Sequence, residues 1–112
     1  MVAASLSDVF GANALQDDGQ LFVRKDALAA KGLTIKANND PEALLVAILL
    51  IAADKLTEIS RSTDLVNRNV TVNYAGQDLV SQGGITYRRD AFSVLLYKQT
   101  NLIAVDPDDY EQ

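Results

Sequence analysis

The chain has 112 residues, 48% hydrophobic and 22% charged, the balance of a single ordinary globular domain. It contains neither cysteine nor histidine, which excludes disulfides, thiolate nucleophiles, His-containing triads and zinc sites built on either residue. The formal net charge is −5. Much of it comes from an acidic segment at residues 106–112, so the body over residues 1–105 is nearly neutral and lacks the clustered Lys and Arg that nucleic acid requires.

The amino-terminal third begins without targeting features. Met1 to Gly11 has neither a basic start nor a long apolar stretch, so we expect no secretory signal and a location in the cytoplasm or in a virus particle. Asp17-Asp18-Gly19 predicts a turn, and residues 20–24 after it predict a short strand. Lys25 to Ala30 fits a single helical turn that Gly32 ends.

A long helix is predicted in the middle of the chain. Asn38, Asn39 and Asp40 precede Pro41, and an Asx cap followed by proline at the first helical position is a common way to begin a helix. A plausible end lies at Ser60 to Thr63, which gives a span near residues 41 to 60.

This helix contains an unusual apolar run. Ala43 to Ala53 reads ALLVAILLIAA, so the helix is apolar in every direction, whereas an amphipathic helix shows a stripe about 100° wide. The run is shorter than the ~18 residues needed to span a membrane. Either its own sheet and loops wrap the helix completely, or a second subunit covers part of it. We expect the second subunit to contact Val46, Leu49, Leu50 and Ala53.

A hairpin is predicted after the helix. Asn69 to Tyr74 alternates between apolar and polar residues, which is typical of a half-buried strand. Turn residues follow at Gly76 to Asp78 and at Gln82 to Gly84, and alternation resumes at Ile85 to Tyr87. The pattern indicates two strands joined by an irregular loop.

The segment from Tyr87 to Lys98 fits either a strand or a helix. Its aromatic and β-branched content favours a strand. In that case Ile85 and Phe92 have opposite parity, so a bulge near residues 88–90 would be needed to restore one apolar face.

Few residues point to chemistry. Asp106, Asp108 and Asp109 resemble a fragment of a calcium loop, but its glycine and distal glutamate are missing and a solvated acidic tail is the commoner case. Tyr74, Tyr87 and Tyr97 could stack on bases, although aromatic residues on strands more often pack across the sheet. We therefore predict no catalytic residue, no metal site and no cofactor.

The overall layout resembles a known class of proteins. A short amino-terminal strand, the helical segment NNDPEALLVAILLIAADKL and the segments TYRRDAFSVLLYK and LIAVDPDDY are similar in arrangement to small structural proteins of tailed bacteriophages, of the neck, tail or baseplate kind. The resemblance implies a non-enzymatic, oligomeric protein assembled around a portal, tube or baseplate, and it carries over no functional residue.

The sequence thus predicts an α+β domain, with one long central apolar helix packed against a small antiparallel sheet and a C-terminal hairpin. The predicted function is a structural or assembly role through self-association or packing on other structural proteins, without nucleic acid, membrane or catalysis. The alternative is a small monomeric ligand-binding module or enzyme that uses Asp, Glu, Lys, Ser or Tyr.

Overall fold

A computed structural model of the chain describes residues 3–98 and 107–110. The described residues form an α+β arrangement of short helices and two antiparallel, two-stranded sheets, as the sequence predicts at this level. The helices are α1 (Leu6–Phe10), α2 (Lys25–Ala29), α3 (Pro41–Lys55) and α4 (Glu58–Thr63). The strands are β1 (Leu15–Gln16), β2 (Leu21–Phe22), β3 (Val70–Gln82) and β4 (Ile85–Leu96).

The amino-terminal elements are held by local hydrogen bonds. The Asp17 carboxylate accepts the backbone N–H groups of Gly19 and Gln20, both at 2.8 Å, which confirms the predicted turn between β1 and β2. Helix α1 was not predicted. It begins with a capping box, in which the Ser5 hydroxyl accepts the Asp8 N–H and the Asp8 carboxylate accepts the Ser5 N–H.

Helix α3 begins at Pro41, as predicted, but it ends at Lys55, and the expectation of one long central helix to about residue 60 is wrong. Leu56 leaves the helical conformation, with φ −90° and ψ 65°, and its carbonyl oxygen accepts a hydrogen bond of 2.8 Å from the Val72 N–H of β3. The Thr57 hydroxyl then caps α4 by accepting the Ser60 N–H. Pairing with the sheet therefore replaces the next helical turn.

The start of α3 also differs in detail from its prediction. Asp40 occupies the N-cap position, but within the described residues its side chain makes no capping hydrogen bond. The neighbouring Asn39 side chain instead accepts the Lys36 N–H and donates to the Thr34 carbonyl oxygen, which closes the loop before the helix. Proline at the first helical position is thus the signal that the structure confirms.

The core consists of two small clusters arranged along α3. One contains buried Leu28, Ala47 and Ile51, and the other contains buried Ala52, Leu56 and Val72. Helix α3 supplies members of both clusters, so it links the amino-terminal helices to the hairpin. The apolar helix is nevertheless not enclosed by its own chain, because Leu45 and Val46 remain exposed.

Strands β3 and β4 form one long hairpin, and Tyr87 to Leu96 is a strand, the interpretation that the sequence favours. Pairing runs from Val70 opposite Leu96 to Gln82 opposite Ile85. Gly83 and Gly84 form a two-residue turn with φ values of 58° and 77°, as the hairpin turn with two positive φ angles requires.

The irregular loop predicted at Gly76 to Asp78 does not form, because β3 continues through it. The bulge that the sequence places near residues 88–90 lies instead on β3, where the register shifts between Tyr74 and Gly76. Because the register of β4 is continuous, Ile85 and Phe92 lie on opposite faces of the hairpin, and the single apolar face expected for β4 does not form. Gly76, with φ 116°, takes the conformation that a side chain would disfavour, which explains why β3 carries the bulge.

The distal half of the hairpin projects from the rest of the molecule. We call residues 77–90 the arm. Among the described residues, the side-chain hydrogen bonds and ion pairs of the arm all stay within the hairpin. The radius of gyration is 18.4 Å, whereas a compact domain of this length has about 13 Å. The chain is thus elongated.

The acidic tail is described only in part. Pro107–Tyr110 forms a 3-10 turn. Asp106, Glu111 and the predicted domain boundary after residue 105 lie outside the described residues.

Gly11 provides a test of the packing between α1, α2 and α3. A Cβ at this position would lie 2.9 Å from the Ala27 Cβ and 3.2 Å from the Ile51 Cδ1, and its φ is 98°. Gly32 has the same φ, but a Cβ there would meet nothing within 4 Å. We expect Gly32→Ala to cost about 1–3 kcal/mol of backbone strain, and Gly11→Ala about 1–3 kcal/mol more from overpacking. Urea denaturation of both variants measures the difference, and equal losses would contradict the close approach at Gly11.

Candidate functional site

The four predicted interface residues do not lie on one surface. Val46 is 52% exposed and, with the partly buried Leu50, lines a shallow apolar cleft of about 260 Å³ beside Leu33. Leu49 and Ala53 are partly buried and pack against the core cluster that contains Val72. The structure therefore brings Val46 and Leu50 together at the surface and places Leu49 and Ala53 against the hairpin.

The hairpin carries exposed apolar side chains that the sequence pattern did not indicate. Alternation along a strand predicts that one face is covered, but here both faces are open over much of the length. Leu79 is 71% exposed and Leu96 is 77% exposed. The exposed large hydrophobic residues of the hairpin are Val70, Tyr74, Leu79, Ile85, Tyr87, Val94, Leu95 and Leu96.

A polar cluster anchors the base of the hairpin to α4. The Glu58 carboxylate accepts hydrogen bonds from the Thr71 hydroxyl at 3.1 Å and from the Tyr97 hydroxyl at 3.4 Å. Thr71 is only 1% exposed, so this bond satisfies a fully buried polar group. The Arg61 guanidinium lies 3.6 Å from the centre of the Tyr97 ring. These contacts give Glu58 and Arg61 of α4 a structural role at the base of the hairpin.

A polar cleft of about 560 Å³ lies beside this cluster. The Nε of Arg61 is buried there, with no hydrogen-bond partner among the residues that the structure describes. Lys98 supplies a second cation to the lining, which also contains Asn69, Leu65, Val66 and Tyr97. The cations of Arg61 and Lys98 are together suited to a carboxylate or phosphate group.

The charges of the arm neutralise one another. The Arg88 and Arg89 side chains lie on opposite faces of β4. Arg88 donates to Asp90 at 3.1 Å, and Arg89 donates to both carboxylate oxygens of Asp78 at 3.0 and 2.6 Å. The hydrogen bond from Arg89 lowers the pKa of Asp78, and the same bond raises the pKa of Arg89. Both guanidinium groups of this basic pair are therefore already paired with carboxylates of the same hairpin.

Asp90 is the acceptor of a second cluster on the arm. It accepts hydrogen bonds from the Tyr74 hydroxyl at 2.8 Å and from the Gln77 amide at 3.0 Å, in addition to the bond from Arg88. The hydrogen bond from Tyr74 is the main cause that lowers the pKa of Asp90, and the others lower it further.

The three tyrosines do not form a common surface. Tyr74 packs edge-on against Phe92, with ring centres 5.4 Å apart. Tyr87 lies on the opposite face of the hairpin from Tyr74, and Tyr97 lies under Arg61 at its base. Each ring thus has its own local environment, and no described surface presents all three for base stacking.

The described residues do not bring acidic side chains together as a metal site would require. Within residues 3–98 and 107–110, no group of three or more acidic residues is placed to hold a metal ion. Asp106, which belongs to the calcium-loop fragment, lies outside that part of the chain. Every helix of the described ranges falls short of the length and hydrophobicity that a bilayer-crossing helix requires.

Comparison with known proteins yields no relative. The chain matched no protein-family model, no curated protein and no solved structure.

The hydrogen bonds to Asp90 predict a dependence of stability on pH. Because folding lowers the pKa of Asp90, its contribution to stability is present above the unfolded value of about 3.9 and is lost as the pH falls through the lower folded value. We expect Asp90→Asn to lower the melting temperature at pH 6, and the gap to wild type to shrink as the pH falls below the unfolded pKa and to close below the folded pKa. Asp18→Asn, at an exposed turn, is the charge-matched control. A gap between Asp90→Asn and wild type that persists at low pH would contradict the prediction.

Proposed function

We propose that this chain is a non-enzymatic assembly subunit that works by packing against copies of itself or against other structural proteins. The proposed setting is the neck, tail or baseplate of a phage-type particle, on the layout resemblance described above. We expect it to act in the cytoplasm or in the virion, without binding nucleic acid or membranes. The observation that supports self-association best is the amount and chemistry of the exposed surface.

The chain exposes more surface than a compact protein of its mass. Its accessible area is 8764 Å² at 12.1 kDa, whereas the scaling for folded monomers gives about 6000 Å². The surplus is about 2700 Å², and one partner in a standard protein interface contributes about 800 Å². The surface is therefore sufficient for more than one contact of ordinary size.

Much of this surface is apolar. Among the described residues, 17 large hydrophobic side chains are exposed, whereas only six hydrophobic residues are buried. Single exposed hydrophobic residues are normal, but contiguous ones mark interaction sites. They recur along the hairpin and at Leu45 and Val46 of α3. A partner that covers them adds the burial that the two small core clusters do not supply.

The polar cleft at Arg61 favours a second candidate function, a small anion-binding module. The buried Nε without a described partner is the observation that supports it, since such a group is costly unless a ligand or water pairs with it. This function requires no self-association. A thermal-shift screen with phosphate and small carboxylates separates the two, because a ligand of this cleft should stabilise wild type and leave Arg61→Gln unaffected.

Light scattering combined with size-exclusion chromatography tests the assembly function. We expect wild type to elute as a species of at least twice the monomer mass. Val46→Glu should weaken a contact made through the outer side of α3 about tenfold or more, and so lower the mass of the assembly, because a charge buried in an apolar contact costs over ~1.4 kcal/mol. It should leave the fold intact, since Val46 is already half exposed.

Gln20→Glu is the control for the added charge, because Gln20 is exposed in the turn between β1 and β2. It should retain the wild-type mass. A wild-type chain that stays monomeric at the highest soluble concentration would remove the support for an assembly function.

A further inference from the structure

We infer that the outer edge of β4 pairs antiparallel with β4 of a second copy, which joins two hairpins into a four-stranded sheet. The inference rests on the proposed function and names the surface and the partner. Within the described part of the chain, β3 and β4 pair only with each other. Each strand of the arm therefore has one unpaired row of N–H and C=O groups, and an isolated two-stranded sheet is marginally stable in water.

The two edges of the hairpin are not equivalent. The edge of β3 is interrupted by the bulge between Tyr74 and Gly76, and a bulge twists an edge away from further pairing. Strand β4 lies wholly within the described residues, and its register is continuous from Ile85 to Leu96, without proline. Its edge is therefore the one that a neighbouring strand can follow.

The charges of β4 select a second copy as the partner and fix the register. In the single chain Arg88 donates to Asp90 of its own strand. If two β4 strands pair about a two-fold axis at Arg89, each Arg88 also lies opposite the Asp90 of the partner, so the two internal pairs join into one network of alternating charges. Arg89 then faces its own copy, but each Arg89 is already neutralised by the Asp78 of its own hairpin. Moving the axis by one residue opposes Arg88 with Arg88 or Asp90 with Asp90, and neither alternative pairs the two signs.

This arrangement also uses the exposed apolar surface of the arm. In the same register Tyr87 lies opposite Ala91 of the partner, and Ile85 lies opposite Ser93. Tyr87 and Ile85 are exposed in the single chain. Pairing places each beside a small residue of the neighbouring strand, which leaves room for the larger side chain across the new ladder.

Cysteine cross-linking tests this pairing, because the chain has no native cysteine. Directly opposed residues of an antiparallel pair have Cα atoms about 4.5–5.5 Å apart, within the range of a disulfide. Arg89→Cys places the thiols on the two-fold axis. The matched control is Asp78→Cys, which lies opposite Arg89 on β3 and removes the same ion pair.

At micromolar concentration we expect Arg89→Cys to form a disulfide-linked dimer about 100-fold faster than Asp78→Cys, because pairing raises the effective thiol concentration to the millimolar range. A mixture of Tyr87→Cys and Ala91→Cys, which both keep the arm's ion pairs, should cross-link between the two variants faster than either variant alone. This second measurement checks the register if loss of the Asp78 bridge disturbs the arm.

Light scattering of the cysteine-free chain is run in parallel. Suppose that wild type is oligomeric, that Asp78→Cys cross-links as fast as Arg89→Cys, and that the mixture of Tyr87→Cys and Ala91→Cys cross-links no faster than either variant alone. This result overturns pairing through β4 and leaves self-association standing. A strictly monomeric wild type with no rapid cross-linking of any variant overturns both proposals.

Discussion

The described structure depends on one apolar helix that has to be covered from several directions. Helix α3 contributes Ala47 and Ile51 to one core cluster and Ala52 to the other. The hydrogen bond from Val72 to the Leu56 carbonyl then ties the end of this helix to β3. Val9 of α1 and Phe92 of β4 both pack against the second cluster, so the end of α3 lies between the amino-terminal segment and the hairpin. Because so short a chain also builds a projecting arm, little material remains to cover the outer side of α3.

Local signals predicted the elements that local interactions determine. Proline at the first helical position placed the start of α3, and the alternation of residues 69–74 placed the start of the hairpin. The end of α3 could not be found in this way, because the Leu56 carbonyl is taken by a residue of β3 distant in sequence. The turn predicted at Gly76 was wrong for a different reason. A glycine with positive φ suits a β-bulge as well as a turn, and here it lies in a bulge. The capping box at Ser5 was a usable local signal for α1.

The candidate site was predicted only where it depends on the helix alone. Counting apolar directions around α3 left Val46 without cover within the chain, and Val46 is half exposed in the structure. The periodicity of the helix alone does not show which distant element covers each face, so the packing of the hairpin against Leu49 and Ala53 was not predicted. The exposure of the arm was missed because residues 76–84 were interpreted as turns and an irregular loop, whereas β3 continues to Gln82 and pairs with β4 up to the two-glycine turn. Long-range packing, and not residue type, determined these outcomes.

The charges of the arm can determine which strand pairs with its exposed edge, and in which register. Charged residues on an edge strand normally prevent indiscriminate pairing with other chains. On β4 the positive Arg88 and the negative Asp90 share one face and are two residues apart, so the edge repels itself in the adjacent registers and attracts itself in one. In that register the two Arg89 side chains face each other, and Asp78 reduces their repulsion by neutralising Arg89 from within the same hairpin. A charge pattern that protects a single chain from aggregation can thus also select one partner and one alignment, which is the property that an assembly subunit requires.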